Sequence, residues 1–314
     1  MTRRFLVLGL ALALGGCTAP MPGERAQAIL QGTPDPDGDP SVVFLAMRTK
    51  TGGGGFCTGT VVSPHVVLTA AHCVDPSELG GAIADVRIYL GAVQGPTAVQ
   101  DTRNWVVAAE THFDPDFNLD GTLTHDNGLV ITSEPLPRTP VPLLLQPLAD
   151  ADRGRTMRLV GFGLHRYNDD LSYGSRYETT AVIRDFNDQL INYQGNAQSI
   201  CNGDSGGPSL LAVDGVEHVA GVHSYGLAGC IGLAHDSRVD ANLYWSAPYI
   251  DGADPGFLPP GTGAAVDLGV AAPPPPTDGG CAAAGGDPSL AGAALVLVLL
   301  LCGRRRALVT AARR

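Results

Sequence analysis

Residues 201–208 read Cys201-Asn202-Gly203-Asp204-Ser205-Gly206-Gly207-Pro208. Glycines on both sides of Ser205 let the backbone turn sharply, because glycine enters left-handed conformations without steric penalty. Such a turn uncovers the Ser205 hydroxyl and lets the N–H groups of Gly203 and Ser205 point at a developing oxyanion. One such donor is worth roughly 3 kcal/mol of barrier. A hydroxyl nucleophile also needs a base to take its proton and a group that holds the base in one tautomer. Two other segments carry those types: Val66-Val67-Leu68-Thr69-Ala70-Ala71-His72-Cys73 and His125-Asp126-Asn127-Gly128-Leu129-Val130. Ser205, His72 and Asp126 are therefore the candidates for acyl-transfer chemistry.

Around these segments, residues 40–250 alternate short apolar runs with turn residues. The runs are 41–47, 60–63, 66–69, 86–90, 105–108, 129–132, 158–160, 178–183 and 218–223. Many hold β-branched residues at strand length, and no long 3.6-period segment competes with them. The chain has 314 residues with 41 Gly and 24 Pro, a share that disfavours a helical bundle and suits an all-β domain rich in turns. Two packed β units with little helix and long surface loops are expected. The formal charge of −11 argues against nucleic acid as a partner. Of the seven cysteines, Cys17, Cys281 and Cys302 lie in the end segments. Cys57, Cys73, Cys201 and Cys230 remain in the body, where spacing leaves three pairings open.

The sequence resembles the trypsin/chymotrypsin-type serine endopeptidases. Leu68-Thr69-Ala70-Ala71-His72-Cys73 and Gly203-Asp204-Ser205-Gly206-Gly207-Pro208 match the two most specific motifs of that family, in its His…Asp…Ser order. The middle motif is weaker, since Gly128-Leu129-Val130 stands near Asp126 where the family usually has Ala-Leu-Leu. The resemblance covers residues 29–250, about 70% of the chain. It implies an all-β fold of two six-stranded antiparallel β-barrels with a short C-terminal helix. It also implies hydrolysis of protein and peptide substrates through an acyl-enzyme, with His72, Asp126 and Ser205 catalytic and Gly203 and Ser205 forming the oxyanion hole. No cofactor and no metal are implied. Cys57 with Cys73 and Cys201 with Cys230 match two of the family's disulfides. Ile29-Leu30-Gln31-Gly32 matches its activation terminus, so a freed Ile29 amine would pair with Asp204, and the uncut chain would be a poor enzyme. Ala28, not Arg or Lys, precedes Ile29, so the activating protease prefers small residues or trims after a cut at Arg25.

For the substrate pocket, the resemblance points to Ser199, Ile200, Ser224, Tyr225, Gly226 and Ala234. Ser199 stands where a trypsin-like base preference would need Asp. A neutral pocket is implied, with cleavage after Leu, Met, Phe, Tyr or Ala. A pocket that accepts small residues would also accept Ala28, which allows self-activation. Trp245 fits the family's terminal helix, which Pro248 is expected to shorten. Asp116-Phe117-Asn118-Leu119-Asp120-Gly121 starts like a calcium loop, but the twelfth position is Asn127 instead of Glu. It reads as a turn.

The ends carry targeting signals. Arg3 and Arg4, an apolar run over 5–14 and small residues before Cys17 form a secretory signal over residues 1–17. Leu14-Gly15-Gly16-Cys17 resembles a bacterial lipobox, which implies lipidation of Cys17. Residues 18–28 read as a propeptide and 29–250 as the catalytic domain. Residues 251–280 hold seven Gly and seven Pro and read as a linker. Residues 281–314 combine Cys281, an apolar stretch and Arg304-Arg305-Arg306, and resemble the C-terminal sorting tail of myxobacterial surface proteins. Export, with membrane attachment through one or both ends, is expected. The competing class is a catalytically inactive protease-fold module used for binding or adhesion.

Overall fold

In the first half of the chain, four short segments rich in β-branched and apolar residues become strands that are buried over most of their length. These are Val42–Thr49 (β2), Gly54–Val61 (β3), Val66–Thr69 (β4) and Gly128–Ile131 (β8). Thr33–Pro34 (β1) precedes them, and Ile83–Tyr89 (β5), Trp105–Val107 (β6) and Glu110–Phe113 (β7) lie between β4 and β8. The structure, a computed structural model, describes residue 29 and residues 32–263. Within that span residues 93–103, 118–122, 167–168, 170, 196–198, 228–229 and 231 are not described. The chain divides into two compact units, residues 1–268 and 269–314. The second unit, with Cys281 and the expected sorting tail, lies outside the described residues, as do residues 1–28 with Cys17.

The first sheet runs β6-β5-β2-β3-β4-β8-β7, all antiparallel. Its two outer strands are halves of one bent strand. The Ala108 N–H bonds to Val86 on β5, and the next N–H, of Ala109, bonds to Ile131 on β8. The chain thus crosses from one edge of the sheet to the other and closes a six-stranded barrel, leaving no long edge open.

The second barrel contains Thr156–Gly161 (β9), Tyr177–Phe186 (β10), Leu190–Gly195 (β11), Pro208–Val213 (β12), Val216–Gly226 (β13) and Gly232–Arg238 (β14). Its strand order is β10-β11-β14-β13-β12-β9, and β9 pairs back to β10. β1 adds to the edge of β10. Along β10, Thr179, Ala181 and Ile183 are buried, whereas Thr180, Val182 and Arg184 are exposed. That is the period of two expected of a strand with one face in the core. The fold is all-β, built from two barrel-like sheets, with one short helix after the last strand.

That helix, α1, is Leu243–Ala253, and it runs through Pro248. The sequence expectation that Pro248 would shorten it is corrected. Leu243, Trp245 and Ile250 on its buried face join the apolar core cluster of the first barrel, and this burial offsets the hydrogen bond a proline removes. Asp254 at its C-terminus grips the first barrel: it accepts from the His65 N–H at 3.0 Å and meets His65 Nδ1 at 2.6 Å. The packed chain continues past residue 250. Leu258 packs on the same core, and Gly263 abuts Leu243 and Ala247. Among the described residues no helix is long and apolar enough to cross a membrane.

Candidate active site

His72 occupies a single 3-10 turn, Ala71–Cys73, directly after β4. β4 is buried on every residue and held on both sides, by β3 and β8, so its exit is rigid. The disulfide Cys57–Cys73 ties the turn to β3. β8 runs antiparallel to β4 with Thr69 opposite Gly128. The residues just before β8 therefore arrive beside those just after β4, which brings Asp126 to His72.

The contact is close. His72 Nδ1 lies 2.8 Å from Asp126 Oδ2, and the His72 N–H donates to Oδ1 at 3.0 Å. The Ser224 hydroxyl, from β13 of the second barrel, also donates to Oδ2. An ionised carboxylate only accepts, so Nδ1 carries the proton and the Nε2 lone pair faces outward. Asp126 is 1% exposed. Burial pushes its carboxyl up, but the His72 charge and the His72 and Ser224 hydrogen bonds outweigh that and leave it below the ordinary carboxylate value. Burial likewise pushes His72 down, whereas Asp126 raises it above the ordinary imidazole value. The pair is built to favour an imidazolium once a proton arrives.

Ser205 stands on the tight turn before β12. Its carbonyl accepts from the Thr58 N–H at 2.8 Å and lies 3.8 Å from Cys73 Sγ, which places the turn beside His72. No hydrogen bond joins Ser205 Oγ to His72 in this structure; such bonds often form only with substrate in place. The N–H groups of the turn divide by partner. Those of Asp204, Gly206 and Gly207 bond to Cys201, His223 and Asp204 carbonyls. Among the described residues, those of Gly203 and Ser205 make no hydrogen bond, the arrangement an oxyanion would need.

Gly203 has φ +95°, and a Cβ there would collide with the Phe56 ring. Gly203→Ala is therefore expected to shift this turn and lower kcat by about 10²–10³, the range for losing one oxyanion donor. Steady-state kinetics on a peptide ester, with thermal unfolding beside them, checks this.

Asp204 is fully buried. It accepts from the N–H groups of Gly163 and Cys201, both at 2.8 Å. Burial outweighs these bonds and pushes its pKa to about 6. Ile29 is also buried, at 1% exposure, and its side chain joins the apolar core of the second barrel. It has φ +34°, a conformation a β-branched residue disfavours. No hydrogen bond joins Ile29 to Asp204 in the joined chain, where Ile29 has no free amine.

Of the pocket candidates, Ile200, Gly226 and Ala234 meet: a Cβ on Gly226 would lie 3.8 Å from Ala234 Cβ and 3.9 Å from Ile200 Cγ1. Ser199 is 1% exposed. Tyr225 stacks on His235 at 4.3 Å. The Ser224 hydroxyl donates to Asp126. Cys201–Cys230 is the second disulfide and joins the turn to the far side of this region. Thr58 was not legible in sequence: its hydroxyl donates to the Gly203 carbonyl at 2.9 Å and accepts from the Phe162 N–H at 3.0 Å. It fastens the Ser205 turn to both barrels.

Elsewhere, an apolar groove of about 580 Å³ lies along Pro142, Leu145, Phe257 and Leu258, with neither His72 nor Asp126 in its lining. Asp114, Asp116 and His125 approach one another within 4.8 Å. The Asp114 carboxylate there already meets His125 and the Tyr244 hydroxyl, each at 3.3 Å.

A family model described as Trypsin matches residues 29–245. The chain is 29% identical over 216 residues to chymotrypsin of Phaedon cochleariae, covering 60% of this chain and 70% of that one. It is 29% identical over 195 residues to brachyurin of Leptuca pugilator, covering 56% and 78%. It is 23% identical over 260 residues to glucanase inhibitor protein 2 of Phytophthora sojae, covering 78% and 86%. Solved structures of GrC and of HL collagenase superpose with TM-scores of 0.58 and 0.57, at 21% and 22% identity. They cover 71% and 70% of this chain and 99% and 97% of their own. At that identity they speak for the fold.

Proposed function

The chain belongs to the trypsin family, a family of serine endopeptidases, and from that premise we propose that Ser205, His72 and Asp126 hydrolyse peptide bonds through an acyl-enzyme. The observation that supports this reading is the fully buried Asp126 carboxylate, which meets His72 Nδ1 and so leaves the Nε2 lone pair free to act as base. His72 takes the Ser205 proton as the hydroxyl attacks the substrate carbonyl, and the oxyanion accepts from the Gly203 and Ser205 N–H groups. His72 then gives the proton to the leaving amine. Water repeats the sequence on the ester. The full chain, with a specific protease site in place of residues 25–28 and cut before Ile29, should degrade a denatured protein. Uncut protein should do so far more slowly.

Cleavage before Ile29 is the proposed activation step, by another protease or by the enzyme itself. The freed amine would bring a cation to the buried Asp204. Asp204 also gives a sign that can be worked out. Its folded pKa of about 6 lies above its ordinary 3.8. At Asp204 the folded chain therefore binds more proton between those values, and the Asp204 contribution to stability falls as pH rises from about 4 to 6. The fall is about 3 kcal/mol, because each tenfold gain in proton affinity on folding is worth about 1.36 kcal/mol. Urea unfolding of uncut Ser205→Ala protein across that range, compared with the same protein carrying Asp204→Asn, should show it as the difference between the two. The loss should shrink in Asp204→Asn and in protein cut before Ile29.

The walls Ile200, Gly226 and Ala234 favour an apolar or small stem in the substrate residue whose carbonyl is attacked. The two disulfides fit an oxidising compartment. Export and surface attachment through Cys17, or through a tail processed near Cys281, complete the reading, with residues 18–28 as propeptide. The second reading is an inactive binding module. It draws on the inhibitor name of one relative, and the reactivity of Ser205 separates the two.

A further inference from the structure

Behind the two oxyanion donors, one side chain of the first barrel reaches into the Ser205 turn. Thr58 lies on β3 and is 0% exposed. Its hydroxyl lies 3.0 Å from the Phe162 nitrogen and 2.9 Å from the Gly203 carbonyl oxygen. An amide N–H only donates and a carbonyl only accepts, so the direction of this chain is fixed. Phe162 gives its proton to Thr58 Oγ1, and the single hydroxyl proton goes to Gly203. Phe56, two residues earlier on β3, shares that face of the strand. Its ring fills the place a Gly203 Cβ would take. β3 therefore meets Gly203 twice, with a ring at its Cα and a hydroxyl at its carbonyl. The strand is a firm support. It is paired on both sides, to β2 and β4, and the disulfide Cys57–Cys73 is anchored one residue from Thr58.

The peptide planes of the turn give the hydroxyl a task. A trans peptide points its C=O and N–H in opposite directions, so fixing one aims the other. The Gly203 N–H shares a plane with the Asn202 carbonyl, which accepts from the Leu164 N–H at 2.8 Å. The Ser205 N–H shares a plane with the Asp204 carbonyl, which accepts from the Gly207 N–H at 2.8 Å. Between them lies the plane of the Gly203 carbonyl and the Asp204 N–H, and the other two pivot on its ends. Its N–H bonds at 2.9 Å to Cys201, inside the same turn, and moves with it. Among the described residues, its one hydrogen bond to a residue outside the turn is the Thr58 hydroxyl. Gly203, at φ +95°, is a loose pivot, since glycine reaches other angles at little steric cost.

We propose that Thr58 is a positioning residue for the oxyanion hole: its hydroxyl holds the Gly203 carbonyl and so keeps the N–H groups of Gly203 and Ser205 aimed at one point. Donors of this kind act through preorganisation, because they need not turn at the moment of reaction. Valine fills the same space as threonine but neither donates nor accepts. It would leave the Gly203 carbonyl and the Phe162 N–H buried without partners, a state the turn relieves by rotating the middle plane. The inference rests on the serine-endopeptidase reading of the same site and adds a residue on which its oxyanion step depends.

The test uses the full chain cut before Ile29, with active sites counted by a fluorophosphonate. Thr58→Val is expected to lower kcat on a peptide amide about tenfold or more while KM stays within about twofold, as for an interaction made only in the transition state. Thr58→Ser, which keeps the hydroxyl, should stay within about threefold of the parent. A peptide aldehyde forms a tetrahedral adduct whose oxygen enters the hole, and it should bind the valine variant about tenfold more weakly or worse. The matching peptide alcohol forms no adduct and should bind both proteins alike. Thr58→Val placed on Gly203→Ala should cost less than about threefold further, because a residue that acts through Gly203 has little left to aim. If the valine variant does not fold, Thr58→Ala takes its place with the same expectations. Parent-like kcat in a folded variant, equal losses for aldehyde and alcohol, or full additivity with Gly203→Ala overturns the proposal. Absence of fluorophosphonate reaction by folded, cut parent protein overturns the peptidase reading itself, and this role with it.

Discussion

Ser205→Ala is expected to lower kcat about a million-fold while leaving the thermal unfolding midpoint of the cut protein nearly unchanged. The size follows from the way the site is divided. Only the Ser205 hydroxyl can form the acyl bond, so without it His72 has no proton to take and Asp126 has nothing to orient. What remains is binding and oxyanion stabilisation by the Gly203 and Ser205 N–H groups, both of which alanine keeps. Stability should hold because the serine holds its turn through its backbone: its carbonyl accepts from Thr58. Pre-steady-state and steady-state kinetics on a peptide ester, beside calorimetry, read both halves of this expectation.

Asp126→Asn is expected to cost about ten-thousand-fold in kcat, the loss associated with that change in a Ser-His-Asp arrangement. The carboxylate accepts from the His72 N–H, His72 Nδ1 and the Ser224 hydroxyl. An amide offers one oxygen for these donors and turns an N–H toward whatever faces its nitrogen. If that is Nδ1, the imidazole takes the other tautomer, and Nε2 then carries a proton and cannot receive one. The buried negative charge that raises His72 above the ordinary imidazole value is also lost, so the pH at which kcat/KM half-rises should move down. A pH–rate profile of the residual activity measures that shift, and it separates loss of the tautomer from simple unfolding.

Much of the architecture is legible in the sequence because the central strands are buried on both faces. Runs such as 41–47, 66–69 and 129–132 are unbroken and apolar, and they become β2, β4 and β8. The two contiguous motifs around His72 and Ser205 are legible for a different reason, since the chemistry of each needs several adjacent residues. Other elements hide. β14 reads Gly-Leu-Ala-His-Asp-Ser-Arg, a polar string, because its inward residue Asp236 is satisfied by partners from β11, β12 and β13 instead of by apolar packing. The closure of the first barrel depends on a bend at Ala108 and Ala109, two residues with no turn chemistry of their own. Ser224 reaches Asp126 across 98 positions of chain, and Thr58 reaches Gly203 across 145. No local pattern encodes contacts of that range. Pro248 misleads because tertiary burial of Trp245 and Ile250 overrides its local preference.

Ser205 is proposed to be a working nucleophile in an assembled site. The most direct measurement is labelling of the full chain, cut before Ile29, with a fluorophosphonate probe, beside Ser205→Ala prepared in the same way. Stoichiometric labelling of the parent and none of the variant is the predicted result. A parent protein that is folded and correctly cut, yet stays unlabelled, would show that Ser205 is not a nucleophile and leave the protease fold as a binding module.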